Sequence, residues 1–260
     1  MNYYVVDALA EKIFEGNPAA VCVLEQWLSD DVMQNIAVEN NLSETAFTVK
    51  EGDYYRLRWF SPGGEIDLCG HATLATAFVL MNYINDQLTE VTFQTLSGPL
   101  TVKKQAHLYE MDFPTIAIEP YELRDDMIEA IGVKPIEVYK GRDLIFVLDS
   151  EETVKNLTPD FNKVKKLPEG LAVFVTAKSD SFDFVARAFW PKLNINEDPV
   201  CGSMYCSLVP YWRKYITKNE LIARQVSKRG GTLYLKDEED RLKISGQAVL
   251  YASGQVNLAE

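Results

Sequence analysis

Apolar and polar residues alternate in two stretches that read as the same strand. The first is Asp53-Tyr54-Tyr55-Arg56-Leu57-Arg58-Trp59-Phe60-Ser61-Pro62, and the second is Phe182-Asp183-Phe184-Val185-Ala186-Arg187-Ala188-Phe189-Trp190-Pro191. Set side by side, Arg58 falls on Arg187, Phe60 on Phe189 and Pro62 on Pro191. Alternation bounded by turn formers predicts a half-buried strand. Shortly after each, Asp67-Leu68-Cys69-Gly70-His71 matches Pro199-Val200-Cys201-Gly202-Ser203. Each Cys-Gly leads into a helical pattern, over 72–83 and 204–215. Val91-Thr92-Phe93-Gln94 then matches Ile222-Ala223-Arg224-Gln225, followed by glycine turns (Gly98; Gly230-Gly231) and alternating strands at 100–102 and 233–235. Four matches in one order, at a near-constant offset, predict a duplicated chain.

The changeover is expected between Phe113-Pro114-Thr115 and Glu119-Pro120, where prolines interrupt the alternation. That gives an N-terminal domain over 1–115 and a C-terminal domain over 116–260. With no flexible linker between them, the halves are expected to pack tightly and leave a cleft. Ala72, Leu74, Ala75, Ala77, Phe78, Val79 and Leu80 are apolar nearly all round, as expected of a helix wrapped by sheet. A second, peripheral helix is predicted over 30–40, with Asp30 and Asp31 suiting its dipole. The fold class is α+β.

Composition narrows the function. The chain has 260 residues and a net charge of -12, from 38 acidic and 26 basic residues. That balance argues against nucleic acid and anionic membranes, which are bound through clustered Lys and Arg. No apolar run approaches the ~20 residues of a membrane span, and the first residues lack signal-peptide features, so the cytoplasm is expected. An anionic substrate would need a local positive site, which backbone N–H groups at helix starts can supply. Cys22, Cys69, Cys201 and Cys206 form no CxxC pair, and His71 lies far from His107. Reduced thiols are expected, and no metal site.

Residues present in only one half are the candidates for chemistry. Glu44, in Asn41-Leu42-Ser43-Glu44-Thr45-Ala46-Phe47, has no carboxylate partner near 170–174. His71 opens the first central helix, and Asp198 precedes the second. Each also has a plainer role open to it: a surface or capping glutamate, a satisfied core histidine, an Asx turn before Pro199. The two Cys-Gly helix starts carry free N–H donors that suit a carboxylate.

These motifs resemble those of the PhzF-like (phenazine biosynthesis) isomerases, within the diaminopimelate-epimerase superfold. The resemblance runs along nearly the whole chain. It is carried by Val6-Asp7-Ala8, Gly16-Asn17-Pro18-Ala19-Ala20-Val21, the Ser43-Glu44-Thr45 segment, Arg58 to Pro62, Leu68-Cys69-Gly70-His71-Ala72-Thr73, Glu197 to Ser203 and Gln225 to Gly231. It implies two pseudo-symmetric domains, each a curved, mostly antiparallel sheet or barrel around a central helix, paired as a homodimer. It also implies proton transfer on a small carboxylic acid without a cofactor, with Glu44 as the shuttle assisted by His71 and Asp198. The backbone around Gly70, Ala72, Gly202 and Ser203 would contact substrate. Many relatives have Thr before the second Gly-Ser, where this chain has Cys201. The superfold's racemases place a catalytic cysteine at each Cys-Gly, so Cys69 and Cys201 stand as an alternative pair of bases, their thiolates favoured by the helix starts. A non-catalytic ligand-binding protein on the same scaffold is a third reading.

Overall fold

The computed structural model describes residues 1–258. The chain forms two compact units, one of Met1–Asp112 with the segment from Ser245 onward, the other of Phe113–Ile244.

In the first unit, strand Asn2–Ala8 pairs antiparallel with Asn17–Leu24. Helix Asp30–Asn40 then carries the chain to Glu44–Glu51, which lies parallel to Asn17–Leu24. Strand Tyr54–Ser61 returns antiparallel. Helix Gly70–Val79 crosses over to Glu90–Thr95, parallel to Tyr54–Ser61, and Gly98–Gln105 closes the hairpin.

The second unit repeats this order. Glu137–Lys140 pairs antiparallel with Leu144–Val147. Two short helices, Glu151–Asn156 and Phe161–Lys166, lead to the parallel strand Val173–Lys178. Phe184–Trp190 returns antiparallel, and helix Gly202–Trp212 crosses to the parallel strand Glu220–Gln225 and its hairpin partner Gly231–Glu238. Even the register repeats: Tyr55 faces Phe93 as Phe184 faces Ala223. That register corrects one sequence match. Gln94 occupies the place of Arg224, and Thr95 that of Gln225, so the two glutamines are one residue out of step.

The architecture is mixed α/β, mostly sheet with few helices, and of the two forms expected the pairings give an open sheet among the described residues. Residues 116–260 were expected to form the second domain, but their last strand, Ala248–Gln255, pairs with Asn2–Ala8 in the first unit. The physical reason is that Asn2–Ala8 buries Val6 and Ala8 and needs backbone partners along both edges. No helix among the described residues is long and apolar enough to cross a membrane.

The central helices show why they can be surrounded by sheet. In Gly70–Val79 the buried polar residues are Thr73 and Thr76 beside His71, and each threonine hydroxyl is satisfied by the carbonyl one turn back, Cys69 at 2.6 Å and Ala72 at 2.7 Å. The helical pattern predicted over 72–83 is real but changes pitch. Residues Leu80–Ile84 form a π-helical turn closed by the Asn85 N–H on the Leu80 carbonyl at 2.8 Å. Helix Gly202–Trp212 contains Pro210, which cannot donate to the Cys206 carbonyl. The Ile116 N–H takes that orphaned acceptor instead, at 2.8 Å. Asp30–Asn40 matches its prediction, capped by the Ser29 hydroxyl and ended by Asn41 in the left-handed conformation.

Candidate active site

In the first unit, Glu44 is the first residue of its strand, where Ala172 stands at the matching register of the second unit. His71 is the second residue of the central helix, and Cys69 is that helix's N-cap. All three are buried. The His71 Nε2 and a Glu44 carboxylate oxygen lie 3.0 Å apart. The ring N–H is not aimed at that oxygen, however, and neither atom has a hydrogen-bond partner. Buried polar atoms are rarely left so, and when they are the site calls for a functional reason. On the other side of the ring, the Cys69 sulfur lies 3.5 Å from Nδ1.

Electrostatics in this trio are mutual. Burial disfavours the charged imidazole, but Cys69 and then the Glu44 carboxylate outweigh it and hold His71 well above its ordinary value. Burial, reinforced by Glu44, pushes the Cys69 thiol up. A thiol so placed is protonated at neutral pH, so its electrostatic pull on His71 is small and the carboxylate is the cause that counts. The donor atoms of Glu44, Cys69 and His71 lie within 4.8 Å of one another, a spacing that metal ions use. Yet sulfur and carboxylate address different ring nitrogens, which is the order of a proton relay.

The second unit places Asp198, Cys201, Gly202 and Ser203 in one turn. The Asp198 carboxylate accepts the Val200 N–H at 3.0 Å, so Asp198 does close an Asx turn ahead of the helix. Cys201 is the N-cap, with its sulfur 3.4 Å from the Ser203 hydroxyl. Burial, with Asp198 adding to it, pushes this thiol far above the ordinary range. The helix starts were expected to favour thiolates at both cysteines; in the folded chain desolvation wins at both. Gly202 has open space where a Cβ would stand, so the fold does not demand glycine there. What glycine leaves is bare backbone at a helix start. In the first unit Gly70 is half-buried, while Ala72 is wholly buried.

Two further residues escaped the sequence reading. Arg142 stacks over Trp190, is paired with buried Asp143 at 2.6 Å, and reaches the Ser203 hydroxyl at 3.4 Å. Gln225, wholly buried, holds the Asp198–Cys201 turn through its side-chain amide. Spacing gave no signal for Arg142, which sits on a loop. A glutamine in a strand could have raised the question for Gln225. A cavity of about 270 Å³ in the second unit, lined by Pro120, Tyr121, Leu123, Ile136 and Tyr139, contains none of these groups.

The sequence pattern of the family described as "Phenazine biosynthesis-like protein" matches residues 6–254. The chain belongs to this family. An uncharacterised isomerase of Pseudomonas aeruginosa is 48% identical over 259 residues, covering 99% of each chain. The crystal structure of a PhzF-family phenazine biosynthesis protein from Enterococcus faecalis is 56% identical, with a TM-score of 0.97 over 99% of each chain. A probable proline racemase of Agrobacterium radiobacter shares the fold alone, at 10% identity and a TM-score of 0.67 over 99% of this chain and 93% of that one. As a member of the phenazine biosynthesis-like family, the chain is an enzyme of the isomerase type.

Proposed function

We propose that the protein moves a proton between carbons of a small carboxylic acid, with Glu44 as the base that removes and returns it. The observation that carries this reading is the buried Glu44 carboxylate 3.0 Å from His71 Nε2, with both atoms left without hydrogen bonds. A carboxylate so held has an oxygen to offer a C–H bond. The neighbouring imidazole, whose charged form the Glu44 carboxylate favours, stabilises charge as it develops on the substrate. The bond broken is C–H; its electron pair passes into the conjugated acid, and the protonated Glu44, whose carboxyl proton exchanges with solvent, delivers a proton to another carbon. No redox change occurs, and no cofactor is called for.

Within the second unit, the turn at Cys201-Gly202-Ser203 has by itself the features that bind a carboxylate. Supporting this are the open space over Gly202, the donors of a helix start and the Arg142 guanidinium beside Ser203. These give a chain of net charge -12 a local positive site.

The test is to incubate the protein in D2O with a panel of small carboxylic acids and follow deuterium entry at carbon by NMR. Exchange with one chemical class identifies the substrate. Glu44→Gln should lower the exchange rate by roughly 10²- to 10⁴-fold with binding retained, and Arg142→Gln should weaken the binding of a small carboxylate to its own turn. Full exchange by Glu44→Gln would rule out Glu44 as the base.

A further inference from the structure

We propose that Cys69 is a positioning residue for His71: its sulfur takes the Nδ1 side of the ring and so keeps Nε2 against the Glu44 carboxylate. The inference deepens the reading of Glu44 as base and depends on it for its kinetic consequence, but not for its spectroscopic one.

Cys69 occupies a helix N-cap, where a side-chain oxygen usually accepts an N–H of the first turn. Here the side chain closes no cap hydrogen bond. Instead the sulfur lies 3.5 Å from Nδ1 of the residue two places on. The second unit shows what this geometry is without an imidazole. There the N-cap Cys201 makes the same contact, 3.4 Å, to the Ser203 hydroxyl, again two places on. The sulfur-to-next-but-one contact thus belongs to the Cys-Gly helix start, and in the first unit it has been given a histidine to hold.

The surroundings fix the sulfur in place. Cys69 is buried, and its carbonyl is held by both the Thr73 hydroxyl at 2.6 Å and the Thr73 N–H at 3.1 Å. The titratable groups bearing on His71 are Glu44, from the neighbouring strand, and Cys69 itself. With Glu44 favouring the charged ring, Nδ1 carries a proton and the sulfur is its acceptor. A sulfur is a weak, long-reaching acceptor. It orients the ring without drawing the proton away, as the outer partner of a functional histidine commonly does. Cys69 therefore acts through His71 and not as a base in its own right, which also suits a thiol whose burial keeps it protonated.

The chain has two histidines, so its 15N-histidine NMR spectrum is small enough to read directly. His107, exposed in the turn between Gly98–Gln105 and Leu108–Pro114, provides the reference. In the unaltered protein His71 Nδ1 should be protonated at neutral pH; a bare Nδ1 would overturn the proposal. Cys69→Ala should move the Nδ1 resonance, shift the His71 titration to lower pH and reduce kcat roughly 10- to 100-fold with KM held. Cys69→Ser, whose hydroxyl can still accept from Nδ1, should restore most of both. An Nδ1 resonance and titration unchanged in Cys69→Ala, or a serine variant as impaired as the alanine one, would refute the role. If Cys69→Ala fails to fold, the unaltered protein and Cys69→Ser decide. Full activity in Glu44→Gln would overturn the base assignment and leave the 15N result standing.

Discussion

Gln225 holds Cys201 by its backbone: the glutamine oxygen accepts the Cys201 N–H at 2.8 Å, while its amide nitrogen donates to the Asp198 carbonyl at 2.6 Å. The first bond is buried and the second half-buried, and each loses its partner if the amide goes. Gln225→Leu should lower stability by about 2–4 kcal/mol in urea unfolding. Gln225→Glu should fall between the two, since a carboxylate keeps the acceptor but cannot donate. A leucine variant within about 0.5 kcal/mol of the unaltered protein would remove this turn's anchor from the account.

The Glu44 charge should be visible in the histidine. With the carboxylate replaced in Glu44→Gln, burial is no longer outweighed, and the His71 titration followed by NMR should move to lower pH. The sign for stability follows. A raised folded-state value stabilises the fold fully below the ordinary imidazole value of about 6.5, and this stability is lost as pH rises through the folded value. That loss should disappear in Glu44→Gln. An unmoved His71 titration would mean that the carboxylate is not what holds it.

Acid should act elsewhere. Arg124 binds Glu169 at 2.6 Å and 3.0 Å and, against the effect of burial, holds it at about 2, with the Tyr121 hydroxyl assisting. A depressed carboxylate contributes its stability above the unfolded value and loses it as pH falls through the folded one. With a third of the Arg124 side chain in solvent, the contribution is about 1–2 kcal/mol. Glu169→Gln should remove that much of the stability lost between roughly pH 4.5 and 2. Identical acid unfolding curves would rule the pair out.

No thiol should react readily in the folded chain. All four cysteines are buried; burial pushes Cys22 up to about 12 and Cys206 to about 11, with Cys69 and Cys201 raised as well. Titration with a disulfide reagent at pH 8 should be slow until urea is added, then count four. A fast thiol in the native protein, protected by a carboxylic acid, would instead restore the pair of cysteine bases.

The repeat was legible because it is written in local periodicity, two for strands and 3.6 for helices, punctuated by Cys-Gly. Glu44 and His71 stood out because Ala172 and Ser203 hold the matching places in the other unit. The one-residue slip between Gln94 and Gln225 was not legible, since it depends on which strand lies alongside. Nor was the reach of Arg142 to Ser203, a contact 61 residues apart in the chain. The fate of the thiols was misread for a related reason. A helix start is visible in the sequence, but the desolvation that overrides it comes from packing.

The pairing of Asn2–Ala8 with Ala248–Gln255 sets an order for synthesis. By the time Ile244 is made, every residue of the second unit exists, while the first unit still lacks a strand. On the ribosome, the earlier-made unit is thus the later one to finish, and Asn2–Ala8 waits with a bare edge until Ala248–Gln255 emerges.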